Sequence, residues 1–149
     1  MKKIFAMVAL MLSTLVSAGE IPLKSFSQYE LWGSPSVTPE FLVNEELGRA
    51  WVTIRVTMGY ADGESSTEEH RVKVAGMSFD KSTGAILLDH EGKLSECAFQ
   101  KTVGRSIFRH KEIKTTPACK FGSRWRDVSY DDGFEIKKTK RYDVFLIVE

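Results

Sequence analysis

The chain has 149 residues, with 21 Lys and Arg against 20 Asp and Glu, so its formal net charge is +1. This total carries no overall bias toward an acidic or a basic partner, and we expect no nucleic-acid partner. The distribution of charge along the chain is more informative than its sum.

Residues 1–18 are typical of a cleaved export signal. Two lysines precede an apolar run at 4–12, and Val16 and Ala18 occupy the positions that a signal peptidase reads. The run is shorter than the roughly 20 residues that span a bilayer, so we expect no transmembrane segment after cleavage. The next residue is Gly19 rather than cysteine, so a lipid has no acceptor there. The sequence predicts a periplasmic or secreted protein.

The remaining 131 residues, 19–149, fit a single domain that buries roughly two-thirds of its unfolded surface. Their formal charge is −1, since Lys and Arg fall from 21 to 19. Cys97 and Cys119 are the only cysteines, and an oxidising compartment favours a disulfide between them over a free thiol. Closing this loop would stabilise the fold by about 3 kcal/mol.

The first elements are an extended arm or short strand in Gly19–Val37, followed by an ambiguous segment. Thr38–Gly48 has the capping residues of a short helix. Glu45 and Glu46 would then lie at the negative end of the helix dipole, which disfavours acids. We favour a strand at Phe41–Val43 followed by a turn.

Arg49–Met58 is the clearest strand, because apolar residues alternate along it: Val52, Ile54, Val56 and Met58. Gly59–Glu69 is polar and acidic and predicts a mobile hairpin loop. Alternation resumes over His70–Phe79, with a change of phase at Ala75–Gly76 that predicts a β-bulge.

Turns and short strands follow at the spacing of an antiparallel meander. Asp80–Gly84 and His90–Lys93 are predicted turns, and Ala85–Asp89 and Leu94–Phe99 are the strands after them.

In the last third, Ile107, Phe108 and Ile113 favour one more strand, and Arg124–Tyr130 alternates as another. Asp131–Gly133 is a strong turn signal. Phe134–Glu149 forms either one bent strand or a second hairpin, and its apolar end predicts a central strand. The fold class we expect is all-β: a small antiparallel barrel or sandwich of roughly seven to nine strands with one disulfide.

No pattern indicates catalysis, a metal or a cofactor. His70, His90 and His110 lie on different predicted elements without ligand spacing, and we expect each to pair with nearby acids. No serine or cysteine stands in a nucleophile motif, so we predict no catalytic residues. An enzyme would need the histidines and acids to meet in one cleft.

The stretch from Lys101 to Arg126 carries eight basic residues against the single acid Glu112. Such charge can hold an anionic envelope polymer, lipid headgroups or an acidic protein, and a tryptophan between two arginines resembles an interface anchor. The candidate binding residues are Arg105, Arg109, Lys111, Arg124, Trp125 and Arg126. Alternatively, these charges balance the acidic loop, and Trp125 lies in the core.

The functional expectation is therefore an exported binding or interaction module with a basic face. One alternative is a lipocalin-like β-barrel that binds a small ligand. Another is an inhibitor of a secreted hydrolase. The sequence does not indicate an oligomeric state.

Overall fold

The computed structural model describes residues 19–149, and the predicted export signal lies outside them. The described chain is all-β, which confirms the predicted fold class. Among these residues no helix is long and apolar enough to cross a membrane. A 3₁₀ turn covers Ser106–Phe108, and the strands are β1 Glu20–Ser27, β2 Ser36–Asn44, β3 Arg49–Gly59, β4 Ser65–Val72, β5 Met77–Asp80, β6 Ala85–His90, β7 Lys93–Val103, β8 His110–Thr115, β9 Cys119–Asp131 and β10 Ile136–Val148.

The ten strands form three sheets, ordered β1-β10-β9, β2-β3-β4 and β5-β6-β7-β8. Every pairing is antiparallel. The last segment is a single strand rather than a hairpin, and β10 is central in its sheet with Val144 and Leu146 buried. Because β1 pairs with β10, the two ends of residues 19–149 lie side by side.

The hairpin prediction for residues 38–48 is confirmed. β2 runs to Asn44, and a turn leads into β3 at Arg49. β3 buries the predicted alternate residues, Val52, Ile54, Val56 and Met58. These two strands follow the rule that one face of a half-buried strand is apolar.

The prediction of a loop over Gly59–Glu69 is wrong for its second half. Ser65–Val72 is strand β4, at one edge of the sheet β2-β3-β4. Its acids point to solvent, and Glu69 forms an ion pair with Arg55 of β3 at 3.2 Å. An exposed edge strand needs no apolar alternation, so its sequence resembles a loop.

The predicted bulge at Ala75–Gly76 is instead a turn that ends one sheet and begins another. Gly76 has φ +83°, and a Cβ there would collide with the carbonyl of Asp89. The Asp89 N–H donates to the Gly76 carbonyl oxygen at 2.9 Å. This turn divides the predicted strand into β4 and β5, so residues 19–149 contain ten strands.

One hydrophobic core draws on all three sheets, with Phe26, Ile54, Ile86 and Leu146 among its buried side chains. The described strands do not close into a single barrel. The predicted disulfide Cys97–Cys119 is present and buried in this core. It links β7 of the four-stranded sheet to β9 of the sheet β1-β10-β9.

We predict that Cys97→Ala/Cys119→Ala lowers the free energy of unfolding by about 3 kcal/mol. The disulfide closes a loop between cysteines 22 residues apart, and without it the unfolded chain gains conformational entropy. Urea denaturation of the oxidised protein and the double variant measures this. The reduced wild-type protein is the control, and it should lose a similar amount. A loss below about 1 kcal/mol in both would contradict the prediction.

We also predict that Thr53→Val stabilises the protein by about 1 kcal/mol. Thr53 is 1% exposed, and its hydroxyl has no hydrogen-bond partner within the described chain, so the change removes an unpaired buried group. Thr57→Val is the matched control on the same face of β3, since that hydroxyl lies 3.2 Å from the Thr67 hydroxyl. Thermal unfolding should show a gain for Thr53→Val only.

Candidate functional site

The six candidate binding residues are divided between two sheets. Lys111 is in β8, and Arg105 and Arg109 lie in the connection from β7 to β8. The other three, Arg124, Trp125 and Arg126, are in β9. The basic stretch of the sequence therefore contributes to two sheets of the structure.

In the sheet β1-β10-β9, Arg124 is held by contacts on two sides. Its guanidinium donates to both carboxylate oxygens of Glu20, at 3.1 and 2.7 Å. Its guanidinium carbon lies 4.5 Å from the ring centroid of Phe145, a cation–π distance. The ring has room because the facing residue is Gly122, where a Cβ would collide with it. The hydrogen bonds to Glu20 raise the pKa of Arg124.

Arg126 belongs to a polar network on the same face. Its Nε donates to Asp143 Oδ2 at 2.7 Å, and Ser25 Oγ donates to Asp143 Oδ1 at 2.7 Å. Arg141 Nε donates to Ser25 Oγ at 2.8 Å. Burial raises the pKa of Asp143, but the hydrogen bonds from Arg126 and Ser25 outweigh it, so the net pKa is below the usual value.

Arg124 and Arg126 are thus already paired with carboxylates, with which a bound anion would compete. Trp125 points to the opposite face of the sheet, since neighbouring strand residues alternate. Its ring packs 5.0 Å from that of Tyr142 and is half exposed, so it is neither fully in the core nor grouped with the arginines.

The connection from β7 to β8 has a different character. Ile107 and Phe108 are 88% and 77% exposed, in a 3₁₀ turn where the Phe108 N–H donates to the Arg105 carbonyl at 2.9 Å. Arg105 and Arg109 flank them, and neither has an ion pair with any residue of 19–149. We call the segment Arg105–Arg109 the basic tip.

The sequence predicts a strand through Ile107 and Phe108, but β8 begins only at His110, and both side chains are exposed. The error arises because isolated apolar residues favour a strand by composition, whereas burial depends on whether the chain returns to the core. The pair of arginines was the only signal in the sequence that pointed here.

The bases of β8 are neutralised locally. Lys111 forms an ion pair with Glu45 of the β2–β3 turn. Glu112 accepts a hydrogen bond from His110 at 2.9 Å and pairs with Lys114 at 3.1 Å. The hydrogen bond to Glu112 raises the pKa of His110. Among the bases from Lys101 to Lys114, those that have no ion pair within residues 19–149 are therefore Lys101 of β7 and the two arginines of the basic tip.

The three histidines lie apart, each next to a local carboxylate as predicted. His70 is 3.3 Å from Glu68, His90 is 3.9 Å from Glu91, and His110 pairs with Glu112. Within residues 19–149 no three His, Cys, Asp or Glu side chains are grouped so that they could hold a metal ion.

Comparison of the chain with protein-family models, curated proteins and solved structures found no match.

We predict that Asp143→Asn lowers stability at neutral pH by about 2 kcal/mol, because it removes the charge that Arg126 and Ser25 stabilise. The folded pKa of Asp143 is below its unfolded value of about 3.9. Its contribution is therefore complete above that value and is lost as the pH falls through the folded pKa.

Urea denaturation at a series of pH values tests this prediction. The stability difference between wild type and Asp143→Asn should shrink on acidification. Asp127→Asn is the control, since this exposed neighbour in β9 has no ion pair in the described part of the chain. A constant difference at all pH values would show that Asp143 does not contribute through its charge.

Proposed function

We propose that this protein is an exported binding module whose basic tip engages an anionic component of the cell envelope. The observation that carries the proposal is the exposure of Ile107 and Phe108 between two arginines without ion pairs in residues 19–149. The buried disulfide fits an oxidising compartment, and the predicted export signal fits the same destination.

Lipid headgroups fit the tip better than an anionic polymer does. Arginine near an anionic membrane surface contributes about 1 kcal/mol. Apolar side chains gain further by entering the boundary between headgroups and acyl chains. A hydrated polymer supplies the negative charge but no apolar phase, so it would leave Ile107 and Phe108 in water.

The two alternative functions differ in their support. A lipocalin-like carrier needs a closed barrel, and the three separate sheets of the described residues give it no support. An inhibitor of a secreted hydrolase would insert an exposed loop into the enzyme's cleft. The basic tip has the exposure that this would require, so an acidic protein cleft is the second candidate partner.

We predict that Arg105→Gln/Arg109→Gln weakens binding to vesicles containing phosphatidylglycerol by about 30-fold, since two contributions of about 1 kcal/mol are lost. Cosedimentation at low salt measures the binding. Lys138→Gln/Lys140→Gln is the matched control: it removes the same charge from exposed positions of β10 and should have a small effect. No binding of the wild-type protein to these vesicles would reject the lipid proposal.

A second pair of substitutions distinguishes a lipid partner from a polymer partner. Ile107→Ser/Phe108→Ser should reduce vesicle binding while leaving any binding to soluble dextran sulfate unchanged. If the serine variant retains full vesicle binding, the apolar residues do not enter the membrane. If the wild-type protein binds only dextran sulfate, the partner is an anionic polymer.

A further inference from the structure

A second exposed apolar feature lies where β9 turns into β10. Phe134 is 98% exposed, and Tyr130 and Ile136 beside it are also exposed. The turn carries three acids: Asp131 and Glu135 have no ion pair among residues 19–149, whereas Asp132 pairs with Lys137 at 3.0 Å. We call the segment Tyr130–Ile136 the ribbon tip.

The ribbon tip has a defined conformation. Asp131 Oδ1 accepts a hydrogen bond from the Gly133 N–H at 2.8 Å. Asp132 Oδ1 accepts from the N–H groups of Phe134 and Glu135, both at 3.0 Å. These bonds to successive backbone groups fix the turn, so little conformational entropy is lost if Phe134 enters a pocket.

An open groove elsewhere on the molecule has the opposite charge. It lies at the start of β3, the end of β4 and the start of β5, and it has a volume of about 550 Å³. Leu47, Trp51 and Met77 are among its apolar lining residues, and none of the described residues that line it is acidic. Its basic residues are Arg49, Arg71 and Lys73. We call it the basic groove.

The two surfaces match in charge, in polarity and in size. Two acids without ion pairs in residues 19–149, Asp131 and Glu135, flank the apolar residues of the ribbon tip, and three bases line the basic groove. A cavity of about 150 Å³ holds benzene, so the groove can take the side chains of Phe134 and Ile136. The basic tip at Arg105–Arg109 is a less suitable receptor, because its own apolar residues project outward.

We propose that the ribbon tip of one molecule docks in the basic groove of a second copy. Such a contact joins different surfaces of the two partners, so it is heterologous and continues into a ring or an open chain. Phe134 is the central anchor, and the acids meet the bases at the margin, where they set orientation and salt dependence.

Sedimentation velocity of the purified, disulfide-bonded protein tests the proposal. At low salt the average sedimentation coefficient should rise with concentration, and high salt should reverse the rise because the Debye length falls to about 3 Å at 1 M. Phe134→Ser should weaken association by at least about 30-fold, as expected of a central anchor. Lys73→Glu should weaken it by more than about tenfold through like-charge repulsion.

Mixing the two variants gives a sharper test. Phe134→Ser keeps an intact groove, and Lys73→Glu keeps an intact ribbon tip, so one productive contact remains between them. The mixture should form a one-to-one dimer that cannot grow, while each variant alone stays monomeric. If association used surfaces other than the ribbon tip and the basic groove, mixing these two variants would not be expected to restore dimer formation.

The control is Ile107→Ser/Phe108→Ser, which should associate like the wild type. This separates self-association from envelope binding, so either proposal can fail alone. A wild-type protein that stays monomeric overturns the inference. So does association that survives Phe134→Ser, or a mixture that remains monomeric, since the tip and groove would then not be the partners.

Discussion

The Cys97–Cys119 bond is the constraint on which the arrangement of the two candidate surfaces depends. It joins β7 to β9, strands of two different sheets, and both cysteines are buried. β7 continues into the basic tip, and β9 continues into the ribbon tip. Each exposed segment is therefore the far end of a strand that is covalently anchored in the core. A binding surface on such an anchored element needs less ordering when a partner arrives.

The basic residues between Lys101 and Arg126 include a paired group in β9 and, at the basic tip, a group without ion pairs in residues 19–149. Arg124 and Arg126 pair with Glu20 and Asp143, residues that sequence places 104 and 17 positions away. Their partners are not the acids of residues 59–69, which the sequence offered as a balancing group. The basic residues of this one stretch therefore act in two ways. Those in β9 form ion pairs that hold neighbouring strands together, whereas Arg105 and Arg109 produce a positive electrostatic potential at the surface.

Prediction from sequence succeeded where burial imposes a period on the chain. β3 and the end of β10 have one or both faces in the core, so their apolar residues reveal them. The prediction missed β4, because an edge strand with solvated side chains lacks that apolar alternation. The site was half predictable: the arginines of the basic tip were identified by charge. The exposure of Ile107 and Phe108 depends on whether the tertiary structure packs another element against them. A local sequence pattern does not contain that information.

The hydrogen bonds that close the turns at both tips do not involve the side chains of the exposed apolar residues. The β9–β10 turn is closed by the Asp131 and Asp132 carboxylates, which would hold it with a polar residue in place of Phe134. The β7–β8 turn is closed by a backbone hydrogen bond to Arg105, which does not involve the side chains of Ile107 or Phe108. The apolar area at the two tips is therefore the surface that the proposed envelope contact and the proposed contact between copies would cover.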